Sequence, residues 1–326
     1  MKLLVLILTL HAPAHAWGVR GHVTANRAAI DALPDDGPVF LREYREWIGA
    51  TGPLPDSWRG TSEPYSKLFE DPNHGWFKEQ FSFMKEVPRS RYDFVIRLHE
   101  EYLRLKDSNP ERAKLTNIRW TGTLPYAAIE NYDRMKAAMR GYRAAKEGSL
   151  DRRHLAHDIA FYAGWLGHYT ADGAMPLHNS IHHDGWQGEN PKDYTRDGGI
   201  HGRFENSFVE LIQLKEADLA LSPAAALDDP FAAIIAHLDD SYTHVEEVYQ
   251  MDKRKAFADK GDRQARDLVA RQLSRASALL RDLVYTAWLE SAKRVPPGPN
   301  PTMPSHPGYH PATGTAPPPG KVIPNR

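Results

Sequence analysis

The chain has 326 residues, with 41 Lys and Arg against 42 Asp and Glu, a net charge of −1, 16 histidines and no cysteine. A balance this close to neutral, with no basic block, excludes a protein that clamps duplex DNA by bulk electrostatics, though not one that binds a few nucleotides. With no thiol, stability rests on a packed core, on metal held by other ligands, or on both.

Residues 1–16 read as a secretory signal. Lys2 precedes the apolar run LLVLILTL (3–10), too short to span a bilayer, and Ala14-His15-Ala16 fits the small-x-small cleavage pattern. Cleavage after Ala16 makes Trp17 the first mature residue. It also predicts a secreted or periplasmic protein with no transmembrane anchor in the mature chain.

Between residues 17 and 294 the pattern predicts one all-α domain. HVTANRAAIDAL starts a helix at His22. Residues 52–75, broken by Pro and Gly, are predicted to be a loop over the domain. YAAIENYDRMKAAMRGYRAA (126–145) follows Pro125 and is rich in helix formers. HLAHDIAFYAGWLGHYTADGA (154–174) is apolar enough for a central, mostly buried helix. Residues 179–199 form a second loop, and SPAAALDDPFAAIIAHL (222–238) reads as a helix broken at Pro230. In 266–290, Leu268, Val269, Leu273, Ala276, Leu280, Leu283, Ala287 and Trp288 fall at steps of three and four on one amphipathic face. There is no alternating strand pattern and no internal repeat. Residues 295–326 are a Pro- and Gly-rich tail that cannot build a core and is predicted to be disordered, with His306 and His310 solvated.

The chemistry concentrates in two segments. In GHYTADGAMPLH (167–178), His168 and Asp172 stand four apart on one helical face, a spacing at which imidazole and carboxylate hold one ion. Pro176 ends that helix, so the turn can aim His178 at a neighbouring ion. GIHGRFENSF (199–208) repeats the spacing with His201 and Glu205. One such pair is also what a solvated surface yields; two, both beside glycines and aromatics, point to metal. His22 lies five residues after the expected N-terminus. A free α-amino group has a pKa of about 8 and can bind metal near neutral pH, whereas the precursor's amide cannot. The amine and carbonyl of Trp17 can therefore chelate an ion alongside His22.

These residues resemble the superfamily of zinc-dependent phospholipases C and single-strand-specific zinc nucleases. WGVRGH is similar to the nuclease-type N-terminus, GHYTADGAMPLH to the family's His-x3-Asp-x5-His segment, and HGRFEN to its last His-x3-acid segment, in the same order over residues 17–290. The resemblance implies an all-α zinc phospholipase C / single-strand nuclease fold and three zinc ions. Asp56, His74, His168 and Asp172 would hold the first ion. His178, His201 and Glu205 would hold the second. The Trp17 amine and carbonyl with His22 and Asp172 would hold the third, Asp172 bridging. Asp71 rivals Asp56 for the loop carboxylate. Asp56 and Asp172 would also be catalytic, Asp56 by orienting the attacking water.

The implied activity is hydrolysis of a phosphodiester by a metal-activated water. Two substrates compete. The WGVRGH spacing leans to single-stranded nucleic acid. Glu205 in place of an aspartate, and HGWFKEQ after His74 with its displaced aromatic (Trp76 or Phe77) and acid (Glu79), lean to phospholipid headgroup esters. A non-catalytic, zinc-stabilised binding module is the third reading, and no obligate protein partner is implied. Arg20, Lys78 and Arg203 are candidate phosphate contacts. Trp76, Phe77, Tyr126, Tyr169 and Trp186 are candidate stacking surfaces. His154, His157, His182 and His183 are read as structural or surface histidines.

Overall fold

The computed structural model describes residues 17–293 together with Pro304 and Pro311. The expected signal (1–16) and, apart from those two prolines, the expected tail (295–326) lie outside the described residues. All helices and no strands occur among the described residues, as the patterning predicts. In chain order the longer helices are α1 (Gly18–Asp31), α2 (Arg45–Thr51), α3 (Pro64–Glu70), α4 (Arg91–Leu105), α5 (Leu124–Ala144), α6 (Leu150–Ala174), α7 (Pro230–Tyr242), α8 (Val245–Lys253) and α9 (Arg263–Ser291). A further helix spans 199–212, α-helical at Gly199–Gly202 and Val209–Ile212 but π-wound over Arg203–Phe208.

Local chemistry accounts for most boundaries. Ser149 caps α6 by accepting from Arg152 N, and Asp262 caps α9 by accepting from Ala265 N. Pro125 sits in the first turn of α5, where its missing N–H costs nothing. Pro230 likewise starts α7 and does not break a longer helix: Asp229 caps it, and 220–227 is irregular chain. That irregular chain is held by α9. The buried guanidinium of Arg281 donates to the carbonyls of Ser222 and Pro223, and Leu227 N donates to Thr286 Oγ1 at 2.9 Å. Residues 52–75 also depart from the expected loop, for they fold into Leu54–Ser57, α3 and a tight turn at Asp71–His74. The prolines there occupy first-turn positions, which start short helices as readily as they stop long ones. Helix α1 begins four residues before His22, at Gly18.

Helix α6 is the axis of the domain, packed against α1, α2, α5 and α9. Its first part joins a core containing Ile30, Ile48, Trp76, Phe94, Tyr126, Met135 and Leu280. Its last part joins a second core with Trp17, Phe204, Phe208, Tyr249, Leu268 and Leu273. The predicted face of α9 is buried along its length, with Trp288 half-buried at the end.

Two glycines in α6 set how closely α1 and α2 approach. A Cβ on Gly164 would stand 2.7 Å from Thr51 Cβ, and one on Gly167 would stand 1.9 Å from Asn26 Oδ1. Asn26, fully buried on α1, donates through Nδ2 to Ile48 O (3.1 Å) and Gly164 O (3.0 Å), tying three helices at one amide. Each glycine costs roughly 1 kcal/mol of helix propensity, which close packing here must offset.

Gly167→Ala, which on an open helix face would stabilise, is therefore expected to destabilise by about 1–3 kcal/mol through overpacking; urea unfolding with a neutral or positive change would remove this account. A second expectation concerns acid. Burial lowers His237 to about 4, and its Nε2–H donates to Thr170 O at 2.9 Å. Because the folded value lies below the unfolded one, about 6.5, the unfolded chain takes up this proton first. Its contribution is complete above pH 6.5 and is lost as pH falls towards 4, by up to about 3 kcal/mol. His237→Gln should flatten the stability slope between those pH values, and an unchanged slope would assign the acid sensitivity elsewhere.

Candidate metal centre

Eight ionisable side chains from five separated segments converge in one basin. His22 comes from α1, Asp56 from Leu54–Ser57, His74 from the Asp71–His74 turn, and His168 and Asp172 from the end of α6. His178 follows in the Pro176–Asn179 turn, and His201 and Glu205 come from the 199–212 helix. All are buried except His201, which is partly exposed.

Three groups have donor atoms close enough to share an ion: His22, Asp56 and His168; His74, His168 and Asp172; and His178, His201 and Glu205. Asp172 is the hub. Its Oδ2 lies 3.0 Å from His74 Nδ1, 3.2 Å from His168 Nε2 and 3.6 Å from His178 Nδ1, while its Oδ1 lies 3.4 Å from His22 Nε2. His178 faces both ways, its Nε2 standing 3.6 Å from Glu205 and 3.0 Å from His201 Nε2. The π-turn, which widens the helix by one residue, still holds Glu205 Oε2 3.1 Å from His201 Nε2. Asp56 is buried, 3.7 Å from His74 Nδ1. Its rival Asp71 points to the rim, paired with Arg59, Lys67 and Arg119.

Trp17 is fully buried in a left-handed backbone conformation (φ 49°). The indole Nε1–H donates to Ala171 O at 2.7 Å, and the backbone N–H donates to Glu205 Oε2 at 3.2 Å. The nitrogen thus abuts a carboxylate that the family resemblance allots to another ion. The Trp17 carbonyl accepts from Gly21 N in the first turn of α1.

The atoms at the centre are poor partners for one another. His74 Nδ1 and His168 Nε2 face each other at 3.0 Å, as do the Nε2 atoms of His178 and His201. His168 Nδ1–H is committed to Gly52 O (2.9 Å), and His201 Nδ1–H to Asp184 Oδ1 (2.9 Å) and His183 O (3.0 Å). When neutral, each ring would therefore turn an Nε2 lone pair inward, the orientation that fixes a metal-binding tautomer. Both nitrogens of His22, Asp172 Oδ1 and Glu205 Oε1 are buried without a hydrogen-bond partner among the described residues. Such atoms cost free energy unless a proton or cation lies between them.

The electrostatics agree. Burial, reinforced by His168, lowers His22 to about 4. Burial also pulls His168 down, but Asp172 and Asp56 outweigh it and raise this imidazole to about 9. Burial of His201 is likewise outweighed by Glu205 and Asp184, which raise it to about 10. Desolvation raises Asp172, yet His168 and His178 hold it well below the usual carboxylate range. Protons thus balance the buried carboxylates in the metal-free chain, and a divalent cation would displace them. Imidazole and carboxylate without thiolate is a ligand set that suits zinc among the transition metals.

The basin opens on a cleft of about 520 Å³ lined by His74, His178 and His201 at its base and by Arg59, Phe77, Arg119 and Trp120 on its walls. Of the aromatic candidates, Phe77 alone lines it, stacked at 4.6 Å on His183. Trp76 and Tyr126 are core residues, Tyr169 is buried with its hydroxyl donating to Glu70 Oε1 (2.5 Å), and Trp186 stacks on His182. Glu79 faces away from the cleft lining, accepting from Ser180 Oγ and Ile181 N. The cations expected at phosphate are engaged elsewhere: Arg20 with Glu210, Lys78 with Asp239, Arg203 with Asp197 and Asp252. His154 and His157 are exposed, His157 packing on Trp47. The sequence reading missed Arg59, Arg119, Trp120, Glu70 and Asp184; of these Glu70 alone had a local signal, for it stands four residues before His74 and its Oε1 lies 3.5 Å from His74 Nε2.

No protein-family model matches the chain, and no curated protein matches it.

Asp184, half out in solvent, orients His201 from behind. Asp184→Asn is expected to weaken metal binding about 10- to 100-fold while leaving the metal-free melting temperature in place. Chelator competition giving wild-type affinity would show that Asp184 does not support the ligand.

Proposed function

We propose that the protein is a secreted or periplasmic phosphodiester hydrolase whose basin holds three zinc ions, and that its substrate is single-stranded nucleic acid. The observation that carries the reading is the convergence of five histidines and three carboxylates, with orphaned inward donors, at the base of an open cleft. A purely structural site is closed by protein on all sides, whereas the third group, His178, His201 and Glu205, has three ligands and lies at the cleft.

Zinc bound in such a basin supplies Lewis acidity towards a phosphate and acidifies water. The chain supplies the rest. Asp172, within reach of four imidazoles, would bridge neighbouring ions and fix their spacing. Asp56, at the inner end of the cleft wall that carries Arg59, would hold an ion and orient the attacking water. Phe77 and Trp120 offer faces on which a base can stack. Cleavage before Trp17 would turn the nitrogen beside Glu205 from a hydrogen-bonded amide into an amine able to bind metal. A second reading, phospholipid headgroup hydrolysis, draws on the exposed apolar side chains of Tyr65, Leu68 and Phe69 on α3. No helix among the described residues is long and apolar enough to cross a membrane.

The first experiment is metal analysis of the mature protein, with hydrolysis of single-stranded DNA, RNA and phosphatidylcholine measured before and after chelation. About three zincs and chelator-sensitive cleavage of nucleic acid are expected; lipid cleavage alone would shift the reading to the phospholipase type, and zinc without hydrolysis to a binding module. Asp172→Asn should lose activity and more than one zinc, and full zinc content in that variant would refute the bridge. Residues added before Trp17 should empty one metal position, whereas normal metal content in such a chain would exclude the N-terminal ligand.

A further inference from the structure

The strongest charge imbalance beside the basin is at the cleft rim. Asp71 Oδ1 meets Arg59 Nε at 3.2 Å and Lys67 Nζ at 3.1 Å, and Asp71 Oδ2 meets Arg119 NH2 at 3.0 Å. One carboxylate therefore stands against three cations. The other acids nearby do not correct the balance. Glu70 turns inward to Tyr169 and Asn73, Asp184 is taken by His201, and Asp56, which Arg59 NH1 approaches at 3.5 Å, belongs to the metal basin. Burial, which would raise Asp71, is outweighed by Lys67 and Arg59, so this carboxylate stays ionised and holds the cations in place.

Arg119 is half exposed, spends one NH2 on Asp71, and has no protein partner for its other side-chain donors among the described residues. Beside it Trp120 is 53% exposed, an unusual position for an indole. Asn117 and Trp120 line both the metal cleft and a second groove of about 630 Å³ walled by Leu98, His99, Tyr102 and Ile118. The two spaces are thus neighbours sharing a wall, with the cations on the metal side and the stacked rings of His99 and Tyr102 on the other.

We propose that Arg59 and Arg119, gathered on Asp71, form a subsite for the phosphate next to the one at the metals, with Lys67, tied to Asp71 and to Arg59 O outside the cleft lining, adding charge, so that a nucleic-acid strand is gripped over at least two phosphates with a base against Trp120. The subsite rests on the phosphodiester reading for its role in turnover, but not for its ability to bind. Spare guanidinium donors beside an exposed aromatic face are what a single strand requires: charge for the backbone and a π-surface for a base of any sequence. A headgroup ester with a single phosphate would be taken up at the metals and would leave the positive charge that Asp71 does not balance unneutralised.

The test uses the metal-loaded protein and Arg119→Ala, Arg119→Glu and Arg119→Lys, all at a half-exposed position. Turnover is read on bis(4-nitrophenyl) phosphate, which has one phosphate, and on oligothymidylate. Binding is read with a phosphorothioate oligothymidylate by fluorescence anisotropy across a salt series. Arg119→Ala should leave the one-phosphate ester within about twofold, raise KM on the oligonucleotide about tenfold with kcat little changed, and lower the salt slope of binding by about one. Arg119→Glu should lose more, and Arg119→Lys should recover most of the loss. Equal effects on both substrates, or none on the strand, would overturn the subsite. Arg119-dependent binding to phosphatidylglycerol vesicles with no binding of the strand would also overturn it and assign the rim to a lipid surface. If the wild type cuts neither substrate but strand binding still depends on Arg119, the subsite stands and the catalytic reading fails.

Discussion

The close seating of α1 and α2 on α6 is the constraint on which the rest depends. Two missing side chains, at Gly164 and Gly167, let backbone and short side chains of three helices meet, and the amide of Asn26 ties them. His22 stands one turn from Asn26 on α1 and His168 directly after Gly167 on α6, their rings stacked at 4.4 Å. Gly52 O, just past α2, takes the Nδ1 proton of His168. A core contact thereby sets the tautomer and position of the basin's first histidines. His22, His168 and Asp172 are thus fixed on long helices, while His74 and His178 sit in short turns; donors fixed on helices need little further ordering if an ion binds.

A second consequence is electrostatic. Asp172 is buried with four imidazoles around it, and Glu205 with two. Isolated buried carboxylates are costly, so the fold tolerates them only with compensating positive charge. In the metal-free chain that charge can come from protonated His168 and His201. A bound cation would supply that charge instead, held by the same imidazoles and carboxylates. The pattern at the rim is opposite in sign: Asp71 is outnumbered by cations, so surplus positive charge faces the cleft.

Much of this was legible before any coordinates. The helical class follows from three- and four-residue spacing. His168 with Asp172 and His201 with Glu205 are i,i+4 pairs whose meeting is a property of one helix, and the structure keeps both pairs within about a hydrogen-bond length. The misreading lay in the proline-bearing segments. Prolines at 53, 55, 64, 72 and 230 were read as interruptions, although a proline in a first turn is compatible with helix, and 52–75 and α7 are built that way. For Arg20, Lys78 and Arg203, named as candidate phosphate contacts, the packing adds what the sequence could not show: each has a carboxylate partner brought from more than 40 residues away.

The sequence by itself determined what short-range stereochemistry controls: the helical class, the amphipathic face of α9, the buried character of α6, and the two spaced ligand pairs. Tertiary structure decided what depends on long-range approach. It brought Asp56 and Glu70 beside His74 and left Asp71 at the rim, put Asp184 behind His201, gave the cleft Arg59, Arg119 and Trp120, and placed the Trp17 nitrogen against Glu205. The physical reason is that a side chain's reach along its own helix is set by a fixed rise and turn per residue. Which distant group it meets depends on how helices pack, and here that was settled by two glycines and one asparagine.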